Sequence, residues 1–296
     1  MKAFQLEWLV TAENEGVLLR DFLKKQQISR SALTDIKYQG GTILVNDTEM
    51  TVRYVLQNHD RVTVIFPKEQ PSEGLIAEEL PLDIVYEDEA VLVINKPAYV
   101  STIPSREHPT GSIANRLAGY YRKKNIPSTV HVVTRLDRDT SGLMLVAKHR
   151  HVHHLLSEQQ KKGGVSRTYE AFVHGKVSQD GKVEAPIGRS ETSIIEREVR
   201  DDGQYACTLY KTLKHYTDFS HMQLQLLTGR THQIRVHMSY IGHSLLGDDL
   251  YGGSLDQISR QALHCRQLTF HHPLNNEKMC FVSDLAEDMK EVINDK

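Results

Sequence analysis

The sequence predicts mixed α and β structure in two unequal units, and three observations carry that reading. The chain has 296 residues, more than one core usually organises. Residues 68–80 lose all periodicity, with Pro71, Ser72, Glu73, Gly74, Glu78 and Glu79 reading as a polar linker. On both sides of it, runs with the two-residue period of strands are interspersed with runs at helical spacing. The units are therefore drawn at 1–67 and 81–296, joined by 68–80.

In the first unit, Leu18, Leu19, Phe22 and Leu23 fall at helical spacing. A second short helix is predicted to start at Ser29 and to stop at Gly40-Gly41. Ile43, Leu44 and Val45 then lead to a turn at Asn46-Asp47, Val62, Val64 and Phe66 alternate as in a half-buried strand, and the unit closes near Pro67. In the larger unit, strands are predicted over 91–94, 143–147, 169–173, 222–227 and 268–270, with a helix over 113–121. The run from Met222 to Leu226 alternates cleanly, which suits a sheet with one face packed and the other free for a ligand.

A formal charge of −2 carries no global basic signature, so any nucleic-acid binding must come from a local patch. The cysteines Cys207, Cys265 and Cys280 are odd in number and lack CxxC spacing, which suits reduced thiols and a cytoplasmic setting. No run approaches the roughly 18 apolar residues of a membrane span, and no apolar targeting segment follows a basic start. Neither a membrane partner nor a targeting signal is expected.

Three stretches could carry chemistry. Arg135 to Gly142, RLDRDTSG, lies between apolar runs and reads as a loop joining two strands, a good place for a catalytic group. Asp137 sits there between Arg135 and Arg138, cations that favour the ionised carboxylate a nucleophile or base requires; a solvated, charge-rich turn would read the same way. In TGRTHQIRVHM, Thr228 to Met238, Gly229 permits a tight turn and Thr231 a helix cap, with Ile234, Met238 and Ile241 facing inward. Arg230 then stands at a strand-to-helix corner, where it could hold a carboxylate or a phosphate or simply be a surface arginine. In SRTYEAFVHG, Ser166 to Gly175, Tyr169 shares a face with Ala171 and Val173; it is either a core tyrosine or a ring for an extruded base.

Together with INKPAYV at 94–100, GDDLYGG at 247–253 and QALHCRQLTFHHP at 261–273, these stretches resemble, in order, the motifs of the RluA/RluD-type pseudouridine synthases over about residues 80–275. The resemblance implies an α+β fold: a mixed, largely antiparallel sheet flanked by helices, with a cleft across its middle. It implies isomerisation of uridine in ribosomal or transfer RNA, by base flipping and without a cofactor, and the chain is read as a monomer. It carries the catalytic aspartate onto Asp137, the active-site tyrosine onto Tyr169 and the aspartate-pairing arginine onto Arg230, and it leaves Arg135, Arg138 and Arg235 as candidates for RNA phosphates. Thr134 departs from the usual histidine before Arg-Leu-Asp, and Arg167 stands where a lysine is common. The first unit resembles an S-four-like RNA-binding domain, a small α/β module in which Arg30, Ser31 and Lys37 would meet phosphates.

His149, His151, His153 and His154 form the strongest rival pattern, since His149 and His153 could share a helix face and ligate a metal. No carboxylate or cysteine completes a ligand set nearby, so the cluster is read as a partly exposed helix start with no metal. A non-catalytic RNA-binding protein is the third class weighed. It would have no use for Asp137, Tyr169 and Arg230 together.

Overall fold

A computed structural model describes residues 3–294; residues 1, 2, 295 and 296, at the outer ends of the two predicted units, lie outside the described residues. The front unit begins with β1 (Gln5–Leu9), then α1 (Leu19–Lys25), α2 (Arg30–Tyr38), β2 (Thr42–Val45), β3 (Thr48–Glu49) and β4 (Arg61–Ile65). The four strands pair antiparallel in the order β1-β4-β2-β3. Helix α2 begins where its cap predicts, because Ser29 Oγ accepts a hydrogen bond from the Ala32 N–H. Asn46 and Asp47 both take positive φ, 50° and 64°, as a two-residue hairpin turn of the primed type requires. Leu19, Phe22, Leu23, Ile36, Val62 and Val64 form this unit's own core.

Residues 68–80 contain no helix or strand, yet they form a docked strap rather than a free linker. The Glu69 side chain is 3% exposed and bonds to His131 Nε2 at 2.6 Å. It also accepts from the backbone N–H groups of Thr129 and Arg150. Further along, the Glu78 N–H donates to the Asn115 carbonyl and its carboxylate accepts from the Gly111 N–H. A Cβ at Gly119 would lie 2.1 Å from the Glu78 carbonyl oxygen, so the strap crosses the following helix where only glycine leaves room. A few polar anchors hold it, and such anchors have no period for a sequence reading to detect.

The larger unit contains β5 (Ile84–Glu87), β6 (Val91–Lys96), α3 (Ile113–Lys124), β7 (His131–Val132), β8 (Ser141–Ala147), α4 (Arg150–Lys161) and β9 (Ser166–His174). There follow β10 (Gly181–Glu184), β11 (Ile187–Arg189), β12 (Arg197–Val199), β13 (Cys207–His215), β14 (Phe219–Leu226), α5 (Gln233–Tyr240), β15 (Leu263–His271), β16 (Lys278–Val282) and α6 (Glu287–Asn294). Ten of these strands make one sheet along the path β10-β13-β14-β9-β15-β8-β6-β5, with β16 beside β15 and β7 beside β8. Every pairing is antiparallel except β15 with β8, where His264 and Cys265 lie opposite Ser141 and Gly142. This parallel seam joins two antiparallel halves, so the sheet is mixed and largely antiparallel, as the resemblance implies. Gly142 has φ +112°, and a Cβ there would stand 2.4 Å from the Cys265 carbonyl oxygen; the seam closes only on glycine.

The histidine cluster is a partly exposed helix start, with His154 exposed and His153 half-buried. His149 occupies the cap of α4, with Nδ1 accepting from the His151 N–H, and these two rings are buried. Phe4 stacks on His149 at 4.2 Å between ring centroids and Phe66 on His151 at 5.1 Å, so these imidazoles are packing surface between the two units. Burial brings both to a pKa of about 4, which keeps them neutral. Among the described residues no three His, Cys, Asp or Glu side chains are grouped to hold a metal, and no helix is long and apolar enough to cross a membrane.

Candidate active site

The loop between β7 and β8 delivers Asp137 to a cavity of about 530 Å³ at the parallel seam. Three buried donors fasten the loop by its carbonyl oxygens. Thr102 Oγ1 donates to the Leu136 carbonyl at 2.7 Å, Lys96 Nζ to that of Arg138 at 2.8 Å, and Arg260 Nη1 to that of Asp139 at 3.0 Å. Lys96, 1% exposed, also donates to the carbonyls of Pro97 and Val100. Burial lowers its pKa to about 7, while Asp139 and Asp137 act to raise it. Three carbonyl acceptors call for three N–H donors, which only the ammonium form supplies. Arg260 is anchored in turn by a two-pronged ion pair with Asp288 of α6 at 2.6 and 2.7 Å. The carboxylate of Asp137 is thus held on a rigid backbone at a cavity wall.

Thr134, the departure from the family pattern, is 1% exposed and accepts the Leu145 N–H on Oγ1 at 2.8 Å. It supports β8 from within, facing away from solvent.

The strand-to-helix corner after β14 is where the structure parts from the sequence reading. Thr231 is exposed and does not cap α5; the cap position is His232, in left-handed backbone at φ +56°. Gln233 ties the corner instead, accepting from the Arg230 N–H and the Thr228 hydroxyl while donating to the Cys207 carbonyl and Thr208 Oγ1. Arg230 lines the same cavity but is exposed and does not reach the carboxylate, donating instead to the Tyr205 carbonyl and to Gln204 Oε1, each at 2.9 Å. The arginine beside the carboxylate is Arg235, whose Nη1 stands 3.7 Å from Asp137 Oδ2. With Asp137 and Asp248 as its partners, it is committed elsewhere than to the phosphate-contacting role expected of it.

Arg235 is itself clamped. Asp248 receives its Nε and Nη2 at 2.8 and 2.7 Å, and its guanidinium lies 4.8 Å from the ring centre of Tyr251. Burial opposes its charge, but Asp248 and Asp137 outweigh that and raise its pKa. Tyr251 takes the Arg197 N–H on its hydroxyl and meets His232 Nδ1 at 2.8 Å. Burial lowers the pKa of His232, with Asp137 acting the other way.

Tyr169 rises from β9 at the same cavity, 3% exposed, with its pKa raised by burial while Arg167 opposes the rise. It is both a core tyrosine and a cavity wall, because β9 lies next to the seam strand β15. Arg135 and Arg138 are exposed at the mouth. Arg30, Ser31 and Lys37 are exposed on α2 in the front unit and do not line the cavity. Lys96, Asp248 and Tyr251 had no role assigned from sequence, although INKPAYV and GDDLYGG contain them; Thr102 and Arg260 lie outside the quoted motifs.

Comparison with known proteins bears on this cavity. A sequence model of the family described as RNA pseudouridylate synthase matches residues 90–240. The chain is 55% identical over 276 residues to a Bacillus subtilis protein named uncharacterized RNA pseudouridine synthase YjbO, covering 93% of this chain and 98% of that one. It is 39% identical over 246 residues to ribosomal large subunit pseudouridine synthase D of Pseudomonas aeruginosa, covering 78% and 77%. In fold it is similar to human RNA pseudouridylate synthase domain containing 4, with TM-score 0.58 at 22% identity over 72% of this chain and 92% of that one.

Proposed function

This chain belongs to the RNA pseudouridylate synthase family, and from that premise we propose that Asp137 is the catalytic group through which it isomerises particular uridines of ribosomal RNA. The observation that carries the assignment is the Arg235–Asp137 approach at the cavity wall, on a loop pinned from three sides. A cation so placed aims the carboxylate without engaging it in a close two-pronged pair.

Uracil within folded RNA hides both its glycosidic bond and its C5, so the nucleotide must leave its stack to react. Tyr169 receives the extruded base. Asp137 then acts on the ribose, by attack at C1′ or by removal of a neighbouring sugar proton; both routes need the ionised carboxylate. The C1′–N1 bond breaks and the uracil turns; C5 then bonds to C1′ as the Asp137–C1′ bond breaks or the sugar proton is returned, C5 gives up its own proton, and N1 acquires one. The formula is unchanged, so the balance requires neither redox partner nor group donor. Arg235 is a positioning residue for Asp137, the place the sequence reading had given to Arg230. Arg135 and Arg138 at the mouth, and Arg30, Ser31 and Lys37 on the front unit, meet RNA phosphates. The relative from Pseudomonas aeruginosa is named for the large ribosomal subunit, which favours ribosomal over transfer RNA as substrate.

The test is to map pseudouridine across total RNA from cells lacking the protein, complemented with wild type or with Asp137→Ala. Sites in ribosomal RNA are expected to vanish on deletion and to return with wild type alone. Full restoration by Asp137→Ala would refute the assignment.

A further inference from the structure

We propose that Arg167 is an anion subsite of the cavity, taking the phosphodiester that adjoins the extruded nucleotide; this rests on the pseudouridine synthase reading and assigns a residue it leaves idle. Arg167 precedes Tyr169 by two positions on β9, so both side chains leave the same face of the strand, about 7 Å apart. Both line the cavity that holds Asp137.

Among the described residues three arginines are buried, and two are fully committed: Arg235 to Asp248 and Asp137, Arg260 to Asp288 and backbone carbonyls. Arg167 is 8% exposed, and among the described residues its side chain makes no hydrogen bond and no ion pair; its Nε is enclosed without a partner. The Nη end keeps what access remains. It lies over Gly229, where a Cβ would come within 2.9 Å of Nη2, so the glycine of the corner clears the space it occupies.

A guanidinium does not shed its proton in a protein, so burial cannot neutralise it. Holding it out of water with no counter-charge is unfavourable in the free protein. An anion bound against it offsets that cost, and the anion every RNA supplies is its phosphodiester, which a planar fork can grip through two oxygens. The carbonyls of uracil are neutral acceptors and compensate the charge less. With the base on Tyr169, a phosphate on Arg167 sets how far the nucleotide enters the cavity.

The experiment uses ribosomal RNA from cells lacking the protein and compares wild type, Arg167→Met and Arg167→Lys. Affinity is measured in an Asp137→Ala background, and single-turnover rates at saturation with Asp137 intact. Arg167→Met is expected to weaken binding roughly 10- to 100-fold, the worth of a charge-assisted hydrogen bond to a buried group. It should also flatten the dependence of log K on log salt by about 0.7–0.9, one phosphate contact. Arg167→Lys should recover most of both, and the free Arg167→Met protein should melt no lower than wild type because it loses an unpaired buried charge. Unchanged affinity and salt slope would overturn the proposal, as would a lowered melting temperature, which would mark a structural role. A lowered saturating rate at unchanged affinity would also overturn it, by placing the guanidinium on the detached uracil. Failure of wild type itself to convert any uridine would instead refute the parent reading.

Discussion

Replacing Asp248 by alanine should unfold this protein well below its normal melting temperature, and the size of the effect follows from the geometry around Arg235. The Asp248 side chain is 0% exposed and that of Arg235 9%, and two bonds of 2.7 and 2.8 Å join them. Removing one partner of such a buried pair costs about 3–5 kcal/mol, because the other charge stays behind in a dry site. Here Asp137 at 3.7 Å and the Tyr251 ring at 4.8 Å remain, which places the loss near the lower end, about 3 kcal/mol. For a chain of this size that corresponds to a melting temperature lower by about 6–12 °C. Thermal unfolding followed by circular dichroism at pH 7 measures it. The double variant Asp248→Leu/Arg235→Met removes both charges and keeps apolar volume, so it should melt near wild type while forming no pseudouridine. If Asp248→Ala melted within about 2 °C of wild type, or if the double variant melted as low as the single one, the clamp reasoning would be wrong.

Two further outcomes test the contacts that seat the strap and the front unit. The folded pKa of His149 is about 4 against an ordinary 6.5, and that of Glu69 about 2 against 4.5, with burial of Glu69 opposed by its hydrogen bond to His131 and by the Arg150 N–H. In both windows the unfolded chain binds the extra proton, so stability falls as pH drops, first from 6.5 to 4 through His149 and then from 4.5 to 2 through Glu69. The His149 part amounts to about 3 kcal/mol in all, and unfolding in urea between pH 7 and 4 should lose that part in His149→Phe. Gly119→Ala must displace the strap, since its Cβ would meet the Glu78 carbonyl oxygen at 2.1 Å. It should cost about 1–3 kcal/mol and expose residues 69–80 to limited proteolysis, and a wild-type cleavage pattern would contradict the docked strap.

Much of this molecule was legible in its sequence because local signals report local physics. Ser29 began a helix and Asn46-Asp47 turned a hairpin because caps and left-handed turns are decided within four residues. The runs at 91–94, 143–147 and 222–227 became strands because their apolar residues fit a buried or half-buried sheet. Asp137 and Tyr169 were found through ordered motifs, and the cavity brings them together. What the sequence could not decide was pairing between distant segments. The strap read as a linker because Glu69 and Glu78 hold it through single polar contacts. The burial of His149 and His151 could not be read locally because Phe4 and Phe66, which cover them, are far away in the chain.

The two arginines of TGRTHQIR show the division most directly. The sequence, through its family resemblance, put Arg230 of this motif against the carboxylate and Arg235, five positions on, against phosphate. Tertiary structure decided otherwise: left-handed backbone at His232 and the four hydrogen bonds of Gln233 turn the chain so that Arg235 meets Asp137 while Arg230, also lining the cavity, bonds to Tyr205 and Gln204. The physical reason is that a charge can be buried only where a partner waits. Asp248, thirteen residues beyond Arg235, supplies that partner to Arg235 through two short bonds.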